Sequence, residues 1–243
     1  MSVRYERSGP AAVLTIDRPE RRNAVDPSTA EGLREGLERF EADPEARALI
    51  LTGAGDQAFC AGADLKAISG ELDEASLRAW ALNSGGPLGL TRLTPSKPTI
   101  AALRGWCLAG GLELALWCDL RIAGRSCRLG FTERRFGVPL IDGGTQRLPR
   151  VIGMGRALEM ILTGRLVDAS EAHAWGLVNE LVDDERVLER ALELAESLAA
   201  VPQPTMLSDR RAALEGAGTP LSEGLALEAE LGREVLPDAA RGA

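Results

Sequence analysis

The sequence predicts an α/β fold followed by an all-helical region, and three observations carry that prediction. Residues 97–124, KPTIAALRGWCLAGGLELALWCDLRIAG, read as strand, glycine turn, buried helix and strand. Apolar segments of strand length alternate with helical patterns up to about residue 182. Beyond that point only helical periodicity remains. The expected division is an α/β core over residues 1–182 and a helical region over residues 183–243, packed on the core or on a neighbouring subunit.

Taken in order, residues 3–7 and 12–17 flank Ser8-Gly9-Pro10 and predict a hairpin. Residues 18–24, RPERRNA, form a polar loop, either a solvated turn or a phosphate contact. Asp26-Pro27 opens a helix, with Asp26 as cap, Pro27 at the first position and Leu33, Leu37 and Phe40 as its apolar face. Residues 46–51 predict a buried strand. The Gly53-x-Gly55 that follows lacks the third glycine and the helix-opening context of a dinucleotide site. A helix is expected from about Asp64. Residues 74–93 read as helical but poorly patterned, broken by Gly85-Gly86-Pro87, and suit a wall or lid. Residues 142–148 read as a capped helix start, and helices are expected near 156–162 and 169–175. Val187, Leu188, Ala191, Leu194, Ala195 and Leu198 make a clear helical stripe, and residues 205–214 and 221–236 again look helical.

A chain of 243 residues is long enough for one large domain with a sizeable core. Its 45% hydrophobic and 26% charged content is that of an ordinary soluble globular protein. A net charge of −8 argues against nucleic acid or an anionic membrane as partner, so an anionic ligand requires a local basic patch. Cys60, Cys107, Cys118 and Cys127 have no metal-finger spacing. With no secretory signal and no apolar run approaching 18 residues, they predict reduced thiols in a cytoplasmic protein without a membrane span. His173 is the one histidine, which counts against a Ser-His-Asp hydrolase and a histidine metal site.

The chemistry concentrates where glycines open a helix. Gly110-Gly111 leave the first-turn N–H groups approachable at the positive end of the helix dipole. Glu113 follows about one turn later among apolar residues, where a carboxylate must be paired, solvated or raised in pKa. The residues alone leave two readings open: a satisfied structural acid, or a proton-transfer group beside an anion-stabilising amide. Gly62, in FCAGADLK (residues 59–66), marks a second place where bare amides could meet a ligand, with Lys66 one turn on. Glu133 reads most simply as the ion-pair partner of Arg134 or Arg135. Asp142 reads as a helix cap.

AFCAGADLK (58–66), IAALRGWCLAGGLELALWCDLRIA (100–123), GGTQRLPRVIG (143–153) and LTGRLVDASEAHAWGLVNELV (162–182) together resemble the crotonase, or enoyl-CoA hydratase/isomerase, superfamily. The resemblance runs in order along nearly the whole chain. It implies a spiral of β-β-α units, a C-terminal helical region used in trimer contacts, a homotrimer or homohexamer, and acyl-CoA thioesters as substrates. Matched motif to motif, it implies an oxyanion hole from the Ala63 and Gly110 amides. It also makes Glu113 and Glu133 the catalytic pair of a hydratase that adds water to trans-2-enoyl-CoA. CoA would be recognised around Ala24, Ala61, Ala63, Asp64 and Leu65, with Lys66, Arg21 and Arg22 facing its phosphates. No metal and no cofactor beyond the substrate's own CoA is implied.

Two departures stand out. The glycine-rich turn usual before GGTQRL is here Pro139-Leu140-Ile141-Asp142, which makes Asp142 either an auxiliary acid or the helix cap already noted. The chain also ends sooner after Asp238 than is usual, without a further basic and aromatic tail that often contributes to the CoA site. Double-bond isomerisation, with one carboxylate shuttling the proton, is the alternative reaction. A non-catalytic acyl-CoA-binding protein is the alternative class.

Overall fold

The expected N-terminal hairpin forms from β1 (Val3–Ser8) and β2 (Ala11–Ile16), paired antiparallel from Val3 against Ile16 to Ser8 against Ala11. This is a computed structural model that describes residues 2–68 and 73–242, with side chains described through residue 236 except that of Ile68. After the hairpin, Asp26 caps α1 (Pro27–Ala42) by accepting from the Thr29 amide at 2.8 Å, and Leu33, Leu37 and Phe40 are buried beneath that helix.

From β3 onward the chain repeats one device. β3 (Ala48–Gly53) is followed by β4 (Ala58–Cys60) and the short helices α2 (Leu65–Ile68) and α3 (Glu74–Ala81). Next come β5 (Thr99–Leu103), β6 (Trp106–Leu108) and α4 (Gly110–Trp117). A third pair, β7 (Leu120–Gly124) and β8 (Arg128–Gly130), leads through a 3₁₀ turn, Thr132–Phe136, into α5 (Gly144–Ile152) and α6 (Met154–Thr163). β9 (Val167–Asp168), α7 (Ala169–Ala174) and β10 (Glu180–Val182) complete the strands. Three helices follow: α8 (Val187–Ala199), α9 (Gln203–Gly216) and α10 (Leu221–Gly242).

In each repeat the first strand joins a six-stranded sheet, β1-β2-β3-β5-β7-β10, and the second joins a four-stranded sheet, β4-β6-β8-β9. This is the spiral of β-β-α units. All pairings are parallel except β1 with β2 and β8 with β9. Residues 74–93, expected to be broken helix, are helical only to Ala81 and continue as turns.

Strand alternation sorts the apolar residues between two layers. Leu14, Leu49, Leu51, Ala101, Leu103 and Ala123 face a core shared with α1, α4 and the smaller sheet. Val13, Ala48, Ile50, Ile100, Ala102 and Ile122 face the other way and are covered by Val187, Ala191 and Ala195 of α8. Helix α4 lies inside the first layer with all eight residues buried, which is why its sequence is apolar all round apart from Glu113. Helix α9 docks through Arg210, whose guanidinium grips both oxygens of Asp119 at 2.9 and 3.0 Å. Among the described residues, no helix is long and apolar enough to cross a membrane.

Candidate active site

The site begins where residues 18–24 fold against residues 54–64. Asn23, fully buried, donates to the Ala54 and Ala58 carbonyls at 2.9 and 2.7 Å and accepts from the Arg18 amide at 3.0 Å. It adopts a left-handed conformation, as does Arg22, with φ of +55° and +52°. Arg18 lies between Asp26 and Asp64 at 3.1 Å from each and also donates to the Ala24 carbonyl. These contacts shape an outer groove of about 740 Å³ lined by Arg21, Arg22, Ala24, Ala61, Ala63, Asp64, Leu65 and Lys66, with Glu20 and Asp56 also on its rim. The groove's inner wall, Ala61, Ala63 and Leu65, is shared with a smaller cavity of about 110 Å³.

Ala63 and Gly110 both line that inner cavity. Val25 donates to the Gly62 carbonyl and accepts from the Asp64 amide, both at 2.8 Å, so alternation turns the Ala63 amide away from Val25. Gly110 is the first residue of α4, where an amide has no acceptor within the helix. Neither amide donates to a protein acceptor among the described residues. The two loops meet closely because both carry glycine. A β-carbon on Gly62, which has φ of +92°, would stand 2.9 Å from the Gly110 nitrogen, and one on Gly110 would stand 3.6 Å from the Ala63 nitrogen. Ala109, just before α4, holds φ +52° and ψ −127°, a strained conformation for a residue with a side chain. The Cys60 sulfur accepts from the Gly62 amide at 3.3 Å, and burial pushes its thiol up to about 12, so it remains a thiol.

Three buried acids, Glu113, Glu133 and Asp142, share the cavity with these amides. Glu113 Oε1 accepts from the Asp142 and Gly144 amides at 3.0 and 2.7 Å. Burial pushes the Glu113 carboxyl up to about 8, the Asp142 and Glu133 charges add to the rise, and the two amides oppose it. Glu133, on the 3₁₀ turn, is 6% exposed, and among the described residues neither of its oxygens has a hydrogen-bond partner on another residue. Burial pushes it up to about 7 against its own backbone amide and Arg134. The ion pair expected of Glu133 with Arg134 or Arg135 does not form. Arg134 instead donates to the Ile161 carbonyl, and the short turn carries Glu133 inward.

Asp142 corrects a second expectation. The cap of α5 is Gly143, at φ +103°, and no side chain caps that helix. The Asp142 carboxylate turns the other way, accepting from the Leu88 amide at 3.2 Å and from the Thr91 hydroxyl. It lines the same cavity, 3% exposed, and burial pushes it above its ordinary pKa.

Leu88, Trp80, Phe136, Val138, Pro139 and Ile141 supply apolar wall. The structural parts played by Asn23, Arg18, Ala109, Leu88 and Thr91 escaped the sequence reading. The available signal was weak: an asparagine in a polar loop, or alanine where glycine is usual, has many ordinary explanations. Chemically, the cavity brings acids able to exchange protons near neutral pH next to amides able to stabilise an oxyanion.

Comparison with known proteins agrees with this arrangement. Residues 6–238 match the family described as enoyl-CoA hydratase/isomerase. The chain is 37% identical over 225 residues to an (E)-benzylidenesuccinyl-CoA hydratase of Thauera aromatica, covering 93% of this chain and 87% of that protein. It is 35% identical over 233 residues to a crotonyl-CoA hydratase of Syntrophomonas wolfei, covering 94% and 87%. The crystal structure of an enoyl-CoA hydratase from Bacillus anthracis superposes with a TM-score of 0.90 at 34% identity, covering 97% of this chain and 91% of that one. The chain therefore belongs to the enoyl-CoA hydratase/isomerase family and has the crotonase fold.

Proposed function

We propose that this protein catalyses the reversible addition of water to a trans-2-enoyl-CoA, giving a 3-hydroxyacyl-CoA. The observation that carries the reading is that Glu113, Glu133 and the residues bearing two unpartnered amides, Ala63 and Gly110, line one cavity. In this reading the thioester oxygen sits between the two amides, which stabilise it as it becomes an enolate. Burial raises both carboxyls, and the pair holds one proton between them. In the arrangement that hydrates, Glu113 is the ionised partner, fixed through Oε1 by two N–H donors that oppose the effect of burial, and it takes a proton from the attacking water with its other oxygen. Glu133, with no partner to hold its proton, delivers one to the α-carbon. In the reverse direction each group takes the opposite part. The chemistry draws on side chains and backbone, with CoA entering as part of the substrate.

The outer groove suits the CoA portion, with Arg21, Arg22 and Lys66 for its phosphates. An inner cavity of about 110 Å³ suits a short acyl end, since pockets that enclose whole small molecules run roughly 300–1,000 Å³. Assembly as a homotrimer or homohexamer through the helices after residue 182 belongs to the same proposal. Loss of the conjugated-thioester absorbance of crotonyl-CoA on adding the protein tests the activity; an unchanged absorbance with crotonyl-CoA and longer enoyl-CoAs rejects it. Double-bond isomerisation is the second reading, favoured by Asp142 as a third carboxylate in the cavity. Products formed in ¹⁸O-water separate the two, because only hydration leaves the label in the acyl chain.

A further inference from the structure

Asp142 occupies a junction that the hydration chemistry does not use. Its carboxylate accepts from the Leu88 amide and the Thr91 hydroxyl, while its own amide donates to Glu113 Oε1. Leu88 in turn lies over Gly110, since a β-carbon on that glycine would stand 2.8 Å from a Leu88 methyl. One residue thus touches Glu113 through its amide and, through Leu88, reaches Gly110 at the start of the same helix. Arg147 straddles the same two segments, donating to the Asp142 carbonyl at 2.9 Å and to the Thr91 carbonyl at 2.5 Å. Arg92 ties Ile141 to residues 81 and 83 by donating to their carbonyls at 2.7–2.9 Å.

We propose that Asp142 is a positioning residue: its carboxylate clamps loop 86–91 so that Leu88 stays against Gly110 and the Asp142 amide stays on Glu113. This inference rests on the hydratase reading and deepens it. The carboxylate acts here as a hydrogen-bond acceptor for two neutral donors, so its charge is dispensable and its geometry is not. An asparagine retains an oxygen for both donors; an alanine retains none. Loss of the clamp lets Glu113 and Leu88 drift together, and a misplacement of about 1 Å at a reacting centre costs about 10²-fold in rate.

The test measures kcat and KM for crotonyl-CoA hydration by the wild type and by Asp142→Ala, Asp142→Asn, Thr91→Val and the Thr91→Val/Asp142→Ala double variant. Circular dichroism establishes that each is folded. Asp142→Ala is expected to lower kcat about 10²-fold with KM changed less than about threefold, and Asp142→Asn to restore most of that loss. Thr91→Val, which removes one donor and leaves Asp142 in place, is expected to lower kcat about threefold to tenfold. It should add nothing further to Asp142→Ala, because both break the same clamp. Asp142→Ala within twofold of wild type overturns the proposal, and so does Asp142→Asn as slow as Asp142→Ala, which would make the residue a proton carrier. If Asp142→Ala does not fold, Thr91→Val decides alone: a kcat within twofold of wild type overturns the clamp. A wild-type protein that does not hydrate enoyl-CoA rejects the hydratase reading itself, a result distinct from all of these.

Discussion

The Gly144 amide donates to Oε1 of Glu113 at 2.7 Å, joining an acid of one buried helix to the first amide of another. The same oxygen accepts from the Asp142 amide at 3.0 Å. With Oε1 engaged by two fixed donors, Oε2 is the oxygen to which the proposed hydration assigns the proton transfer. An acid held this way keeps its aim without a side-chain partner, whereas Glu133 keeps its aim by burial alone.

Glu113→Gln preserves the oxygen that takes both amides and removes the titratable one. The expected result is a fall in kcat of about 10²–10⁴-fold with little change in KM, and the same for Glu133→Gln. Steady-state hydration of crotonyl-CoA checks both. Rates within tenfold of wild type contradict the paired-acid assignment.

Glu133 should also cost stability, with a definite pH dependence. Below about pH 4.5 its carboxyl is protonated in folded and unfolded chains alike. As pH rises, the unfolded chain ionises first, so stability is lost until the pH passes the folded value of about 7. Glu133→Gln lacks this penalty. At pH 8 it should be about 1–3 kcal/mol more stable than wild type, with a Tm higher by roughly 2–4 °C per kcal/mol. The gain should vanish near pH 4.5. Thermal melts at the two pH values give the answer, and an equal Tm at pH 8 contradicts it.

Ala109→Gly sets two effects against each other. Relief of the conformation at φ +52°, ψ −127° is worth about 1–3 kcal/mol, while glycine adds about 0.5–1 kcal/mol of chain entropy to be lost on folding. Strain relief wins, and the variant is expected to be about 1 kcal/mol more stable in chemical denaturation. A destabilised variant would mean that Ala109 is unstrained.

Lys66→Ala and Arg21→Ala address the outer groove. Each should raise KM for crotonyl-CoA about threefold to tenfold with kcat nearly unchanged, and added salt should narrow the difference. Against the pantetheine thioester, which lacks the nucleotide phosphates, the variants should match wild type. An equal rise in KM with both substrates would show that these residues do not meet the phosphates.

What was legible in the sequence follows from element length. Strands β2, β3, β5 and β7 carry five or six mostly apolar residues between two cores and announce themselves as runs. The whole second sheet is built from strands of two or three residues, too short to show any period, so only the family resemblance, with its β-β-α units, implied them. Glu113 was visible because a charge inside an apolar helix is anomalous. Glu133 was visible only through the family resemblance, since its neighbours Arg134 and Arg135 offer an ordinary ion pair and only the 3₁₀ turn shows that it does not form. Asp142 misled for a similar reason. An aspartate before Gly-Gly is a good helix cap locally, and its partners Leu88 and Thr91 lie more than fifty residues away.

The central claim is that the amides of Ala63 and Gly110 share one thioester oxygen, with Glu113 and Glu133 facing the carbons beside it. A crystal structure with an unreactive acyl-CoA thioester bound tests this most directly. The account predicts the thioester oxygen at about 2.7–3.1 Å from both nitrogens, with both carboxyls on the acyl chain. A thioester oxygen out of reach of either amide, or an acyl chain lying away from both acids, would contradict it.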